Sequence, residues 1–233
     1  MNVVITGASR GIGKTIASVF AANGHHLYIS ARNEKLLNAT KDALAIQYPS
    51  SNIQSKAFDL SIKGNAKKLG SWILESCTCV DILVNNAGSY LPGFVYNEAE
   101  GVLEEMIQTN LYSAYHLTRV LLPLMIEQKS GHIFNICSIA SLQAYPNGGG
   151  YSISKFALAG FSKNLREEMK PYGIKVTAVY PGAVLTDSWA GFDNTMNRIM
   201  ESDDVAKMIY ASYQLSYGAC VEEIILRPQL GDL

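Results

Sequence analysis

A short apolar run broken by three closely spaced glycines constrains this chain more than any other feature. Residues 2–6 read Asn-Val-Val-Ile-Thr, β-branched and apolar as a buried strand is. Gly7-Ala8-Ser9-Arg10-Gly11-Ile12-Gly13 follows at once. Residues 14–23 then continue the helical spacing of Ile12, Ile16, Val19 and Phe20, and Gly24 is placed to close that helix. In a strand–glycine–helix order, the glycines let backbone approach a phosphate closely. The helix start offers it unpaired N–H groups and the positive end of a dipole. The segment therefore predicts a nucleotide site built on an α/β sheet.

The second strand is expected at 26–30 and ends at Ala31-Arg32. An acid at that strand end would accept from a ribose 2′-hydroxyl. None is present, and a guanidinium instead matches a 2′-phosphate. Arg32, with Arg10 inside the glycine loop as a second candidate, points to NADP(H) in preference to NAD(H). Asn33 is a helix cap for 33–48, with Pro49 as the stop. A third strand at 53–58 leads to Asp59-Leu60, where Asp59 is read either as an acceptor for the adenine amino group or as a plain helix cap.

A helix over 61–76 and an apolar strand over 80–84 bring the chain to Asn85-Asn86-Ala87-Gly88. That turn lies where open α/β sheets bind ligands. Asn85 is equally a candidate bridge between neighbouring strands. Helices are expected at 98–112, containing Asn110, and at 113–128. Further strands are expected at 132–137, 174–179 and 221–226, and a helix starts at 202–204. Residues 189–200, with Trp189, Phe192 and Met196, read as a substrate cover or as a packed surface helix. About seven strands alternate with helices, the pattern of a doubly wound parallel sheet with helices on both faces. The 233 residues suit one domain, 1–233.

Composition excludes several classes. Apolar residues are 48% and charged residues 17%, so a large core is available and disorder is not expected. With a net charge of −1 there is no basic stripe for nucleic acid. The four cysteines, Cys77, Cys79, Cys137 and Cys220, form no disulfide ladder and no zinc spacing, so no metal is expected. No signal peptide stands out, and no apolar run reaches the ~20 residues of a membrane span. The expectation is a cytoplasmic protein without a membrane partner.

The chemistry-bearing stretch is Tyr151-Ser152-Ile153-Ser154-Lys155. On a helix, positions four apart share a face, so phenol and ammonium reach one volume. A nearby cation favours phenolate and would draw the tyrosine below its usual ~10. Taken alone, the spacing is more often an ordinary exposed helix start. The preceding Asn147-Gly148-Gly149-Gly150 reads as a loose turn that leaves the substrate edge mobile.

Taken together and in order, Thr6 to Gly13, Asp59, Asn85 to Gly88, Asn110, Ser138, Tyr151 with Lys155, and Pro181-Gly182 with Thr186 resemble the compact short-chain dehydrogenase/reductase family over nearly the whole chain. It resembles ketoacyl carrier-protein reductase-like and sepiapterin reductase-like members of that family. The resemblance implies a Rossmann-type fold and a small-molecule carbonyl or alcohol substrate. Ser138 would hold the reacting oxygen, and Tyr151 would give or take its proton. Lys155 would tune Tyr151 and hold the nicotinamide ribose, and Asn110 would organise a relay water.

Cofactor contacts are implied at Gly7, Ser9, Arg10, Gly11, Ile12 and Gly13, and at Arg32, Asp59 and Leu60. They are also implied at Asn86, Ala87 and Gly88, at Tyr151 and Lys155, and at Pro181, Gly182, Val184 and Thr186. A homodimer or homotetramer through the helices at 98–128 and 151–171 is implied too. Tyr90, Gln143, Tyr145, Trp189 and Phe192 are candidate substrate walls or plain packing. The competing reading is a catalytically silent dinucleotide-binding sensor or scaffold, which would not need an intact Ser138/Tyr151/Lys155 set.

Overall fold

Alternate residues of the strands face opposite sides, and the two sides carry separate cores. The computed structural model describes residues 1–189 and 191–232. Its strands are β1 (Asn2–Thr6), β2 (His26–Ala31), β3 (Ile53–Ala57), β4 (Ile82–Asn85), β5 (Gly131–Ile136), β6 (Ile174–Pro181) and β7 (Glu223–Leu226). They form one parallel sheet in the order β3-β2-β1-β4-β5-β6-β7. Val3, Ile5, Leu27, Ile29, Ile82, Val84, Phe134 and Ile136 pack on one face. Val4, Tyr28, Leu83 and Ile133 pack on the other.

The first face is covered by α1 (Gly11–Ala22), α2 (Glu34–Gln47) and α7 (Ser202–Tyr213), through Ile16, Phe20, Leu37, Leu44, Val205 and Ile209. The second is covered by α3 (Asn65–Ser76), α5 (Ser113–Gln128) and α6 (Gly149–Met169), through Leu69, Ile73, Leu117, Leu121 and Leu165. Each such side chain taken fully from water contributes about 1.5–3 kcal/mol, which fixes both layers against the sheet. The doubly wound parallel sheet expected from the alternation is the fold observed. Its strand order reverses between β1 and β4, and the carboxyl ends of strands at such a reversal are where open α/β sheets form their ligand crevice.

Three elements depart from the sequence reading. The helix expected from residue 61 begins at Asn65, because Gly64 sits in the left-handed region (φ +91) and Asp59 folds a turn onto Ser61. The helix expected over 98–112 is α-helical only in α4 (Val102–Ile107), and Gln108–Tyr112 then widens into a π turn that contains Asn110. Gly149 and Gly150, read as loose turn, form the first turn of α6. Asp187–Trp189 forms a 3-10 turn, and an isolated parallel bridge joins Val184 and Met200. Among the described residues no helix is long and apolar enough to cross a membrane.

Candidate active site

The glycine turn is held from below by the β4 end. Thr6 Oγ1 accepts from the backbone N–H groups of Asn86 (3.0 Å) and Ala87 (2.9 Å). Asn86 Nδ2 donates to the carbonyls of Thr6 (2.9 Å) and Gly7 (3.2 Å). Gly7 has φ +67, and a Cβ on Gly13 would collide with Asn86 Nδ2 and the Gly7 carbonyl. The turn therefore needs glycine for backbone shape at one end and for close approach at the other. No side chain caps the start of α1, so its first N–H groups have no side-chain acceptor at the N-cap. The Asn86 amide is spent on the turn, and its role is to hold the cradle.

Around this turn the other expected cofactor residues divide by what their side chains do. Ile12, Leu60 and Val184 send theirs into the cores, leaving only backbone for the crevice. Ser9 offers its carbonyl to Thr40 Oγ1 (3.1 Å). Asp59 Oδ1 accepts from the N–H (3.0 Å) and hydroxyl (2.6 Å) of Ser61, so one carboxylate oxygen is committed to a local turn. Pro181 ends β6 opposite Leu226, and the Gly182 N–H donates to the Leu226 carbonyl at 2.7 Å. Thr186 lies against Gly11, where an added Cβ would stand 3.2 Å from its Cγ2. Arg10 pairs with exposed Asp187 at 3.1 Å. Arg32 is exposed just beyond β2.

Tyr151 and Lys155 sit in the first turns of α6, with Lys155 Nζ 5.8 Å from the Tyr151 ring centroid. Lys155 is 5% exposed and donates to the Ile136 carbonyl at 2.8 Å, at the end of β5. Ser138 follows that strand. Its hydroxyl accepts from the Ala140 N–H (3.1 Å), capping the 3-10 turn Ile139–Ser141. The same hydroxyl is near enough to the Tyr151 phenol to pull its pKa downward. Burial is the larger influence and leaves Tyr151 above its ordinary value. Burial likewise drives Lys155 down to about 8. The direction at Tyr151 is thus set by desolvation, and the Lys155 ammonium faces the Ile136 carbonyl.

Asn110 lies in the π turn. Its Oδ1 accepts from the Ser89 N–H (2.8 Å), and its Nδ2 donates to the Ser89 carbonyl (3.0 Å) and to Ser154 Oγ (2.9 Å). Those bonds make this buried side chain a tie between the π turn, the chain after β4 and α6. Asn85 is the strand bridge, donating to Asn135 Oδ1 (2.8 Å) and Thr118 Oγ1 (3.0 Å). Tyr90 packs edge-on against Tyr151 with centroids 4.8 Å apart. Thr6, Ser89 and Ser154 were missed as site residues, since each acts through a partner distant in sequence. Among the described residues no group of three or more His, Cys, Asp or Glu is arranged for a metal.

A parallel doubly wound sheet with a glycine cradle at its reversal point defines a dinucleotide-type α/β protein, and a Ser–Tyr–Lys cluster beside the cradle narrows the class. The chain belongs to the short-chain dehydrogenases, whose family model matches residues 1–197. It is an oxidoreductase of that family. Sepiapterin reductase of Chlorobaculum tepidum is 34% identical over 239 residues, spanning 99% of this chain and 97% of that protein. A metagenomic short-chain oxidoreductase solved with NADP superposes with a TM-score of 0.86 at 29% identity, covering 98% of this chain and 97% of that one. An alcohol dehydrogenase from the archaeon Thermococcus sibiricus, solved with 5-hydroxy-NADP, gives a TM-score of 0.89 at 27% identity, covering 98% and 96%.

Proposed function

We propose that this protein is an NADP(H)-dependent reductase that interconverts a small-molecule carbonyl and a secondary alcohol, with Tyr151 as its general acid and base. The observation that carries the reading is the convergence of Ser138, Tyr151 and Lys155 beside the β1–α1 cradle. The residues fit the dinucleotide. The α1 start is uncapped, the Gly13 cradle admits backbone contact, and β2 ends in exposed Arg32 with no acid. NADP in a similar structure and 5-hydroxy-NADP in another support the same choice.

Bound there, the nicotinamide supplies the hydride. The chain supplies position and proton. The Ser138 hydroxyl donates to the substrate oxygen, and Tyr151 gives that oxygen its proton as negative charge builds on it. The Lys155 ammonium, 5.8 Å from the Tyr151 ring centroid, would stabilise the phenolate left behind and would hold the ribose hydroxyls. Asn110 holds the π turn and Ser154 in register with α6. Gly7 to Gly13 would take the pyrophosphate, and Arg32 with Arg10 would take the 2′-phosphate. Asp59, Leu60, Asn86, Ala87 and Gly88 would line the adenosine side, and Pro181, Gly182, Val184 and Thr186 would line the nicotinamide side.

The same reading makes the chain one dinucleotide-binding domain, cytoplasmic, and a homodimer or homotetramer.

The test follows NADPH absorbance with a panel of sepiapterin, 1-phenyl-1,2-propanedione, a β-keto ester, an aromatic aldehyde and menadione. At least one carbonyl is expected to be reduced faster with NADPH than with NADH. Tyr151→Phe should cost about 10²-fold or more in kcat, and Arg32→Asp should move preference toward NADH. No turnover on any member would favour the silent sensor, and equal use of both dinucleotides would count against the Arg32 assignment.

A further inference from the structure

We propose that Glu98 is a positioning residue of the active site: its carboxylate caps the first turn of α6 and so seats Tyr151. The inference rests on the reading of Tyr151 as proton donor. Gly148, Gly149 and Gly150 precede Tyr151 directly, and glycine in a helix costs about 1 kcal/mol relative to alanine. Such a run gives the catalytic turn no stiffness of its own. The structure supplies a reason for two of these glycines and for a third glycine far away in sequence.

Glu98 Oε1 accepts from the Gly150 N–H at 2.7 Å. A Cβ on Gly149 would overlap Glu98 Oε1 and stand 2.6 Å from the Gly93 carbonyl. One on Gly150 would stand 3.2 Å from Leu103 Cα and 3.3 Å from Glu98 Oε2, and one on Gly93 would stand 2.8 Å from Glu98 Cγ. Three glycines thus enclose one carboxylate. The N–H it takes belongs to the first turn, which has no side-chain partner from the N-cap, and a negative group there also faces the positive end of a 21-residue helix.

The segment that carries Glu98 is fastened to the catalytic helix elsewhere too. Asn110 holds both backbone groups of Ser89. The Tyr90 ring packs on the Tyr151 ring. The Gly93 N–H donates to the Asn147 carbonyl at 3.1 Å. Glu98 is the last of these ties and the one that reaches the residue next to Tyr151. The glycine run therefore serves close packing around a carboxylate. With that carboxylate removed, the first turn of α6 frays and the phenol loses its fixed place.

The test compares Glu98→Ala and Glu98→Gln in the full chain. Amide exchange at Gly150, read by NMR, should be about tenfold faster in Glu98→Ala, because the N–H loses its acceptor. With NADPH and the fastest carbonyl of the panel above, kcat should fall about tenfold through misplacement of the phenol. NADPH affinity by fluorescence titration should stay within about twofold, since the cradle is untouched. Glu98→Gln keeps an acceptor oxygen and should restore both exchange and kcat to within about threefold.

In a second arm, Gly93→Ala should harm the unmodified protein yet add nothing in the Glu98→Ala background, where the crowded side chain is gone. The proposal is overturned by unchanged exchange and kcat in Glu98→Ala, by failure of glutamine to rescue, or by loss of NADPH binding in step with kcat. Tyr151→Phe separates the two readings. If it abolishes turnover while Glu98→Ala does not, only the Glu98 role falls. If it leaves turnover intact, the assignment of Tyr151 itself falls.

Discussion

At Lys155 a positive charge is held where water does not reach it. Burial lowers its pKa from 10.5 to about 8. A folded value below the unfolded one contributes stability only above the unfolded value, and that contribution is lost as pH falls through about 8. At pH 7 the buried ammonium therefore destabilises the fold by about 3 kcal/mol. Lys155→Met removes this cost but leaves the Ile136 carbonyl without its donor, a loss of about 1 kcal/mol. Calorimetry without added dinucleotide should find Tm at pH 7 raised by about 4–8 °C. The gain should shrink as pH approaches 10, and the variant should have no reductase activity. An unchanged or lower Tm would show that the charge is not strained. Tyr151 and Lys155 were legible as a pair because their spacing is local. The direction of their shifts was not legible, because desolvation depends on Ile136 and Cys137 closing around them.

Among the elements, the β1–α1 turn was legible in full and the stretch around Asn110 was not. Three spaced glycines between an apolar strand and a helical pattern admit few structures. The reason for Gly13 lies in Asn86, whose amide Nδ2 it must clear. Gly13→Ala improves helix propensity by about 1 kcal/mol, yet the collision should win. NADPH affinity is expected to drop by about tenfold or more, with a stability loss of about 1–3 kcal/mol from overpacking. Fluorescence titration and thermal melts check both, and a variant with native affinity would mean the turn relaxes freely. The π turn at Gln108–Tyr112 left no mark in hydrophobic spacing. One extra residue per turn is decided by what Asn110 bonds, namely Ser89 and Ser154, 21 and 44 residues away. Gly149 and Gly150 were misread for the same reason, since the carboxylate they admit stands 52 residues from Gly150.

On the scale of the molecule, buried titratable groups bound the pH range in which the fold is stable. His132 is 3% exposed, stacks on Phe134 and is pushed down to about 3 by burial. Thr177 Oγ1 gives its proton to the Val221 carbonyl, so His132 Nε2 must donate to Thr177, and the ring is neutral with Nδ1 bare. Its depressed value gives stability present above about 6.5 and lost as pH falls toward 3, about 2 kcal/mol by pH 5. Burial lowers His25 and His116 as well, with the same sign. On the alkaline side Cys137 is pushed up to about 11, so its contribution is present below its ordinary 9 and lost as pH rises through the folded value. The Lys155 cost is relieved as pH rises from about 8 toward 10.5, while the Cys137 contribution is lost only above 9, so Tm should be highest at about pH 9–10 rather than at neutrality. His132→Phe should flatten the acid limb, and a limb left unchanged would mean other groups cause it. The sequence alone determined the alternating strands and helices, the nucleotide cradle and the Tyr151–Lys155 pair. Each of these is written in spacing along one or two adjacent elements. Only the tertiary structure decided how burial sets both pKa values, what Asn86 and Asn110 hold, and why glycines stand before Tyr151. Those depend on atoms brought together from distant parts of the chain, where low dielectric and close packing act on whatever has been placed side by side.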